Sequence, residues 1–162
     1  MQTRREILKW SVGALAGLAV QLPERASAQL QGTLAVVVAK DSPLVELSLF
    51  ELKKLYLGSH LTDPSGAKIV PFNHVPRSAE RVAFDGRVLG MTPDEVTRYW
   101  IDRKIRGEAG APKAVSADLL QRVVSRLVHS IAYVKVSELH PDVRAISIDG
   151  RIPGETGYGL FA

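Results

Sequence analysis

The sequence predicts an α/β domain with a mixed sheet flanked by helices, and three observations lead there. Short valine-rich and β-branched runs alternate with segments of helical period, the pattern of strands separated by helices. Ser48, Ser78, Thr92 and Ser116 each stand just before such a helical segment, where a side-chain oxygen can cap free amides. A chain of 162 residues with 46% hydrophobic content suits one core.

"TLAVVVA", residues 33–39, is a continuous apolar run, as expected of a strand buried on both faces and central in a sheet. After the turn "KDSP", Ser48 with Glu51 three places on makes a capping box, and Leu49, Leu52 and Tyr56 line one helical face up to Gly58. "SHLTDPSGAK" is loop by composition, and "KIVPF" reads as a second strand ended by Pro71. The helix opening at Ser78 carries Phe84, Val88 and Met91 as a buried stripe. Thr92-Pro93-Asp94-Glu95 is a second capping box, with proline at the first helical position, ahead of Val96, Tyr99 and Trp100. "RGEAGAPKAV", residues 106–115, has the glycine and proline density of an exposed loop. Ser116 then caps a helix whose Leu120, Val123, Val124, Leu127 and Val128 are expected to pack inward. "IAYVKV" and "VRAISI" complete the strands, and the tail "GRIPGETGYGLFA" is expected to be irregular.

The first 28 residues have a different character. Arg4 and Arg5 precede "SVGALAGLAV", an apolar run long enough for a signal-peptide core and short for a membrane span. Ala26 and Ala28 flank Ser27 as a peptidase site requires, so residues 1–28 read as a cleaved leader and residues 29–162 as the mature domain. The string Thr3-Arg4-Arg5-x-Ile7-Leu8-Lys9 resembles a twin-arginine export signal, which implies a periplasmic protein with no membrane attachment after cleavage. The net charge is +4, with the basic residues spread along the chain. Losing the leader removes Arg4, Arg5, Lys9 and Arg25 against Glu6 and Glu24, and a nearly neutral domain is not expected to bind nucleic acid.

Catalytic and metal chemistry find little support. With no cysteine there is no thiolate ligand or nucleophile, and His60, His74, His129 and His140 have no partner at ligand spacing. Neither a phosphate-binding glycine loop nor a nucleophile elbow occurs. Asp94 and Glu95 sit in a first helical turn, where negative charge is favoured anyway. No cofactor, no metal and no enzymatic activity are expected. What remains is "VPRSAER", where the first-turn amides beyond Ser78 either receive an ordinary cap or hold an anion, with Arg77 and Arg81 nearby.

Along residues 34–136 the chain resembles the phosphate-type periplasmic substrate-binding proteins of ABC transporters, in the form of a short single lobe. The resemblance is carried in order by "LAVVVAKDSP", "LFELKKLYLG", "KIVPFN", "SAERVAF", "VLGMTPDEVTRYW", "GEAGAPK" and "SIAYV". It implies a single lobe of a type II periplasmic-binding-protein-like fold. It also implies a phosphate-like small anion held by Ser78, the amides of Ala79 and Glu80, Arg77 and Arg81, with Asn73 at the edge. An ABC transporter or another envelope protein would be the partner.

The chain departs from the family pattern in three places. Glu80 stands where the family has a threonine, and a carboxylate there can only accept and repels phosphate. Arg77 and Ala132 replace glycines. A half-cleft open to water also weakens every hydrogen bond it offers. A ligand-free interaction or sensor domain of the cell envelope is therefore the alternative expectation.

Overall fold

The computed structural model describes residues 32–108 and 110–160. The leader expected over residues 1–28 lies outside them. In chain order the elements are β1 (Leu34–Ala39), β2 (Glu46–Leu47), α1 (Leu49–Tyr56), β3 (Val70–His74) and α2 (Ala79–Phe84), which runs into a π-helical turn (Asp85–Leu89). There follow α3 (Pro93–Ile105), β4 (Lys113–Val115), α4 (Ala117–Arg126), β5 (Ser130–Lys135), a 3-10 turn (Val136–Glu138), β6 (Val143–Ala145) and β7 (Ser147–Ile148).

Five strands form one mixed sheet in the order β4-β3-β5-β1-β6. β1 runs antiparallel to both β5 and β6, while β3 runs parallel to both β4 and β5. β2 and β7 make a separate parallel pair. All six residues of β1 are buried, as its unbroken apolar run requires, although the middle of the sheet is β5. Alternate β1 side chains serve opposite faces. Leu34, Val36 and Val38 join α1, α2 and the chain end in one core, and Ala35 and Val37 join Leu120 and Val124 of α4 in the other.

The expected helices are present, and both capping boxes are made, Ser48 with Glu51 and Thr92 with Glu95. Several boundaries differ from expectation, each for a local reason. Pro71 does not end its strand: β3 pairs with β5 through Val70 and Pro71 and then with β4 from Phe72 onward. The missing N–H thus falls where the ladder changes neighbour. Lys113–Val115, read as loop, forms the edge strand β4, too short for its pattern to outweigh the preceding glycines and proline. "VRAISI" is not one strand: Ile146, buried and donating its amide to Val36, separates β6 from β7, which belong to different sheets.

α4 stops at Arg126, so Leu127 and Val128 are exposed instead of packed. Its N-cap Ser116 makes no capping bond to the backbone. The irregular tail is nonetheless structural, because Tyr158 and Leu160 are fully buried and Leu160 accepts the Leu34 amide. No helix among the described residues is long and apolar enough to cross a membrane.

Candidate functional site

β3 delivers the chain to the start of α2 through Asn73 and His74, both buried under neighbouring side chains. The Tyr133 hydroxyl on β5 donates to Asn73 Oδ1, which commits that carbonyl to the core. His74 Nε2 donates to the Tyr133 carbonyl at 2.8 Å, while Tyr133 stacks on Phe84 of α2 with ring centroids 3.8 Å apart. Tyr56 of α1 closes the cluster, 4.6 Å from Phe84, and donates its hydroxyl to the Phe72 carbonyl at 2.9 Å. This floor fixes where α2 begins. Burial lowers the His74 pKa, keeping the ring neutral in the floor.

At the helix start Ser78 is an N-cap in extended conformation, and its Oγ accepts the Arg81 amide at 3.3 Å. Arg77, just before it, has φ of 65°, a left-handed conformation in which glycine is the unstrained residue. Its side chain extends into solvent and pairs with Asp94 at 3.1 Å. Arg81 turns the other way. It is buried, with Nε donating to Asp85 Oδ2 at 2.6 Å and Nη1 to the His74 carbonyl at 3.4 Å. Burial pushes the Asp85 carboxyl up and the Arg81 guanidinium holds it down, with burial the larger influence.

Glu80 reaches across to Lys135 on β5, 2.5 Å from Nζ, and Lys135 also meets Glu138 at 3.3 Å. The Lys135 contact, followed by a bond from the residue's own amide, holds the Glu80 carboxyl below the usual range. A carboxylate of the chain itself thereby lies against the first turn, where negative charge is favoured. The amide of Ala79 has no hydrogen-bond partner among the described residues.

Of the six residues expected at an anion site, Ser78, Ala79, Glu80 and Arg81 share the first turn of α2 and Arg77 adjoins it, whereas Asn73 lies beneath in the core. The cations around that turn are each engaged: Arg77 by Asp94, Arg81 by Asp85, Lys135 by Glu80 and Glu138. Sequence reasoning missed Asp85, His74, Tyr133 and Lys135. Asp85 was findable four residues after Arg81. The β5 residues carry no local signal. Among the described residues no group of three or more His, Cys, Asp or Glu side chains could hold a metal ion.

No protein-family model and no curated protein sequence matches the chain. Solved structures do. An ABC-type phosphate transport receptor from Vibrio cholerae superposes with a TM-score of 0.60 at 21% identity, covering 75% of this chain and 48% of that one. A putative phosphate ABC transporter substrate-binding protein with bound phosphate from Clostridium perfringens gives 0.60 at 20% identity, covering 82% and 54%. PstS from Borrelia burgdorferi gives 0.56 at 16% identity, covering 75% and 49%. The chain spans about half the length of these proteins. Its mixed sheet flanked by helices is the fold of a single lobe of phosphate-type substrate-binding proteins.

Proposed function

We propose that this chain is an exported substrate-binding-protein-like lobe of the cell envelope that acts through contact with a partner protein, its anion place being taken by its own Glu80. One observation carries the reading: the Glu80 carboxylate, paired with Lys135 at 2.5 Å, lies at the helix start where a bound anion would need an unopposed positive field. Arg81 adds no free charge there, because Asp85 neutralises it in the core. A half-cleft facing water would also leave any anion strongly solvated. Export rests on the leader pattern of residues 1–28, and the envelope partner on the resemblance to transporter components.

A second reading, capture of phosphate at the start of α2, is favoured by the unpartnered Ala79 amide and by the solvent-facing Arg77 guanidinium. Calorimetric titration separates the two. Under the first reading wild type gives no heat with millimolar phosphate, and Glu80→Thr gains binding because it exchanges a repelling acceptor for a donor. Phosphate binding by wild type that disappears in Ser78→Ala and in Arg77→Ala would install the second reading instead.

A further inference from the structure

A cavity of about 340 Å³ lies beside the amino-terminal half of β3, away from the start of α2. It arises where the sheet changes neighbours. β3 pairs with β5 through Val70 and Pro71 and meets β4 only from Phe72 onward, so the chain ahead of Lys113 leaves a slot against Val70 and Pro71. The loop after α1 forms another side with Ser59 and His60. The slot is open to solvent along its rim, and its size falls at the lower end of the range of about 300–1,000 Å³ common for small-ligand pockets.

The wall is mostly hydrocarbon. Leu55, Ile69 and Phe72 line it, and Pro71 and Pro112 bring no N–H to it. The rim is cationic. Lys68 and Lys113 both line the slot and are exposed, and neither has an ion-pair partner among the described residues. None of the described lining residues is acidic. Asp63, Glu108 and Asp118, the acids nearest to these lysines in the chain, are held elsewhere: Asp63 by Ser65, Ala67 and His129, Glu108 by Arg103 and Arg106, and Asp118 by Ser116. The negative end of α1 is masked as well, because the Leu57 carbonyl accepts from the Tyr99 hydroxyl and from Arg103 Nη1, both at 2.8 Å.

These features set the chemistry of a ligand. Two unneutralised ammonium groups beside an apolar wall disfavour a cation, and an inorganic anion would gain nothing from the hydrocarbon. The complement joins one negative charge to an apolar body. The four-carbon stems let both ammonium groups follow the ligand, so the pairing requires no fixed spacing between them. We propose that this slot binds a small monocarboxylate with a compact hydrocarbon body, the body against Ile69, Phe72 and Pro112 and the carboxylate at the rim with Lys68 and Lys113. The site is independent of the reading above, since neither Glu80 nor Lys135, Arg77 or Arg81 lines it.

The test titrates the nitrogen-15-labelled full chain with cyclohexanecarboxylate at constant ionic strength. The backbone NMR signals of Ile69, Phe72 and Lys113 should shift in a saturable way, while those of Ser78, Ala79 and Glu80 stay in place. Cyclohexanecarboxamide keeps the body and lacks the charge, so it should bind about tenfold more weakly. Acetate keeps the charge and lacks the body, and should give no saturable shift. Both lysines are exposed, so Lys68→Glu/Lys113→Glu should keep its signals dispersed and lose the response to cyclohexanecarboxylate. A wild type indifferent to cyclohexanecarboxylate, equal binding of the carboxamide, or undiminished binding by the double variant would each overturn the proposal. So would saturable shifts confined to the first turn of α2.

Discussion

At the residue scale the start of α2 is a place where ionised groups answer one another. Arg81 and Asp85 form the most buried pair, with side-chain exposures of 10% and 3%. Such a pair gains little over an apolar replacement but is costly to break, because the survivor keeps its charge without compensation. Arg81→Met should therefore lower unfolding free energy by about 3–5 kcal/mol in urea titrations, and the double variant Arg81→Met/Asp85→Leu should recover much of that loss. The single variant also has a pH signature. Burial already raises the Asp85 pKa, and losing the guanidinium raises it further, so the lost stability returns as the pH is lowered and the carboxyl protonates. A double variant no more stable than the single one would show that the pair specifies packing instead of neutralising charge. Sequence reasoning missed this pair, although its i,i+4 spacing is a local signal that could have shown it. The Glu80–Lys135 pair carries no such signal, since 55 positions separate its members and only the parallel approach of β3 to β5 brings them together.

Among the elements, legibility followed the locality of the signal. Helix starts are written in four consecutive residues, and Ser48, Ser78 and Thr92 all cap as their spacing implies. Ser116 has the right residue type without the capping bond, because its neighbour Asp118 draws the hydroxyl, the leading influence that lowers the Asp118 carboxyl. That difference is measurable. Thr92→Ala should cost about 1 kcal/mol, removing a cap that accepts the Glu95 amide and also holds the Glu95 carboxylate, whereas Ser116→Ala should be nearly silent. Equal losses in thermal unfolding would contradict this assignment of the caps. Strands were legible only when long and buried. β1 announces itself by six apolar residues, but β2 and β4, with two and three residues, have no period to read; β4 exists because the longer β3 offers it hydrogen bonds, and β2 because the equally short β7 is brought beside it. The π-helical turn was equally silent, since its wider spacing leaves the apolar stripe of Phe84 and Val88 looking helical.

For the whole molecule the decisive tie is between the loop ahead of β3 and the turn ahead of β5, the two parallel strands beneath the candidate site. Asp63 makes that tie. Its Oδ2 accepts from His129 Nδ1 at 2.6 Å, while Oδ1 accepts from the Ser65 hydroxyl at 2.6 Å, the Ser65 amide at 2.9 Å and the Ala67 amide at 3.2 Å. The Ser65 hydroxyl leads in lowering this carboxyl to about 2, with burial opposing and His129 assisting. A carboxylate whose folded pKa lies below its unfolded one stabilises the fold fully above the unfolded value, and that contribution is lost as the pH falls through the folded one. The window therefore runs from the ordinary carboxylate range near 4 down to about 2. Glu80, Glu51, Glu95 and Asp118 slope the same way, and Asp85 slopes oppositely because its pKa is raised. Asp63→Asn removes the steepest share. Its urea midpoint should lie below wild type at neutral pH, and the gap should close as both are acidified toward pH 2. If the gap stayed constant across that range, the fold would be using Asp63 for its shape alone and not for its charge.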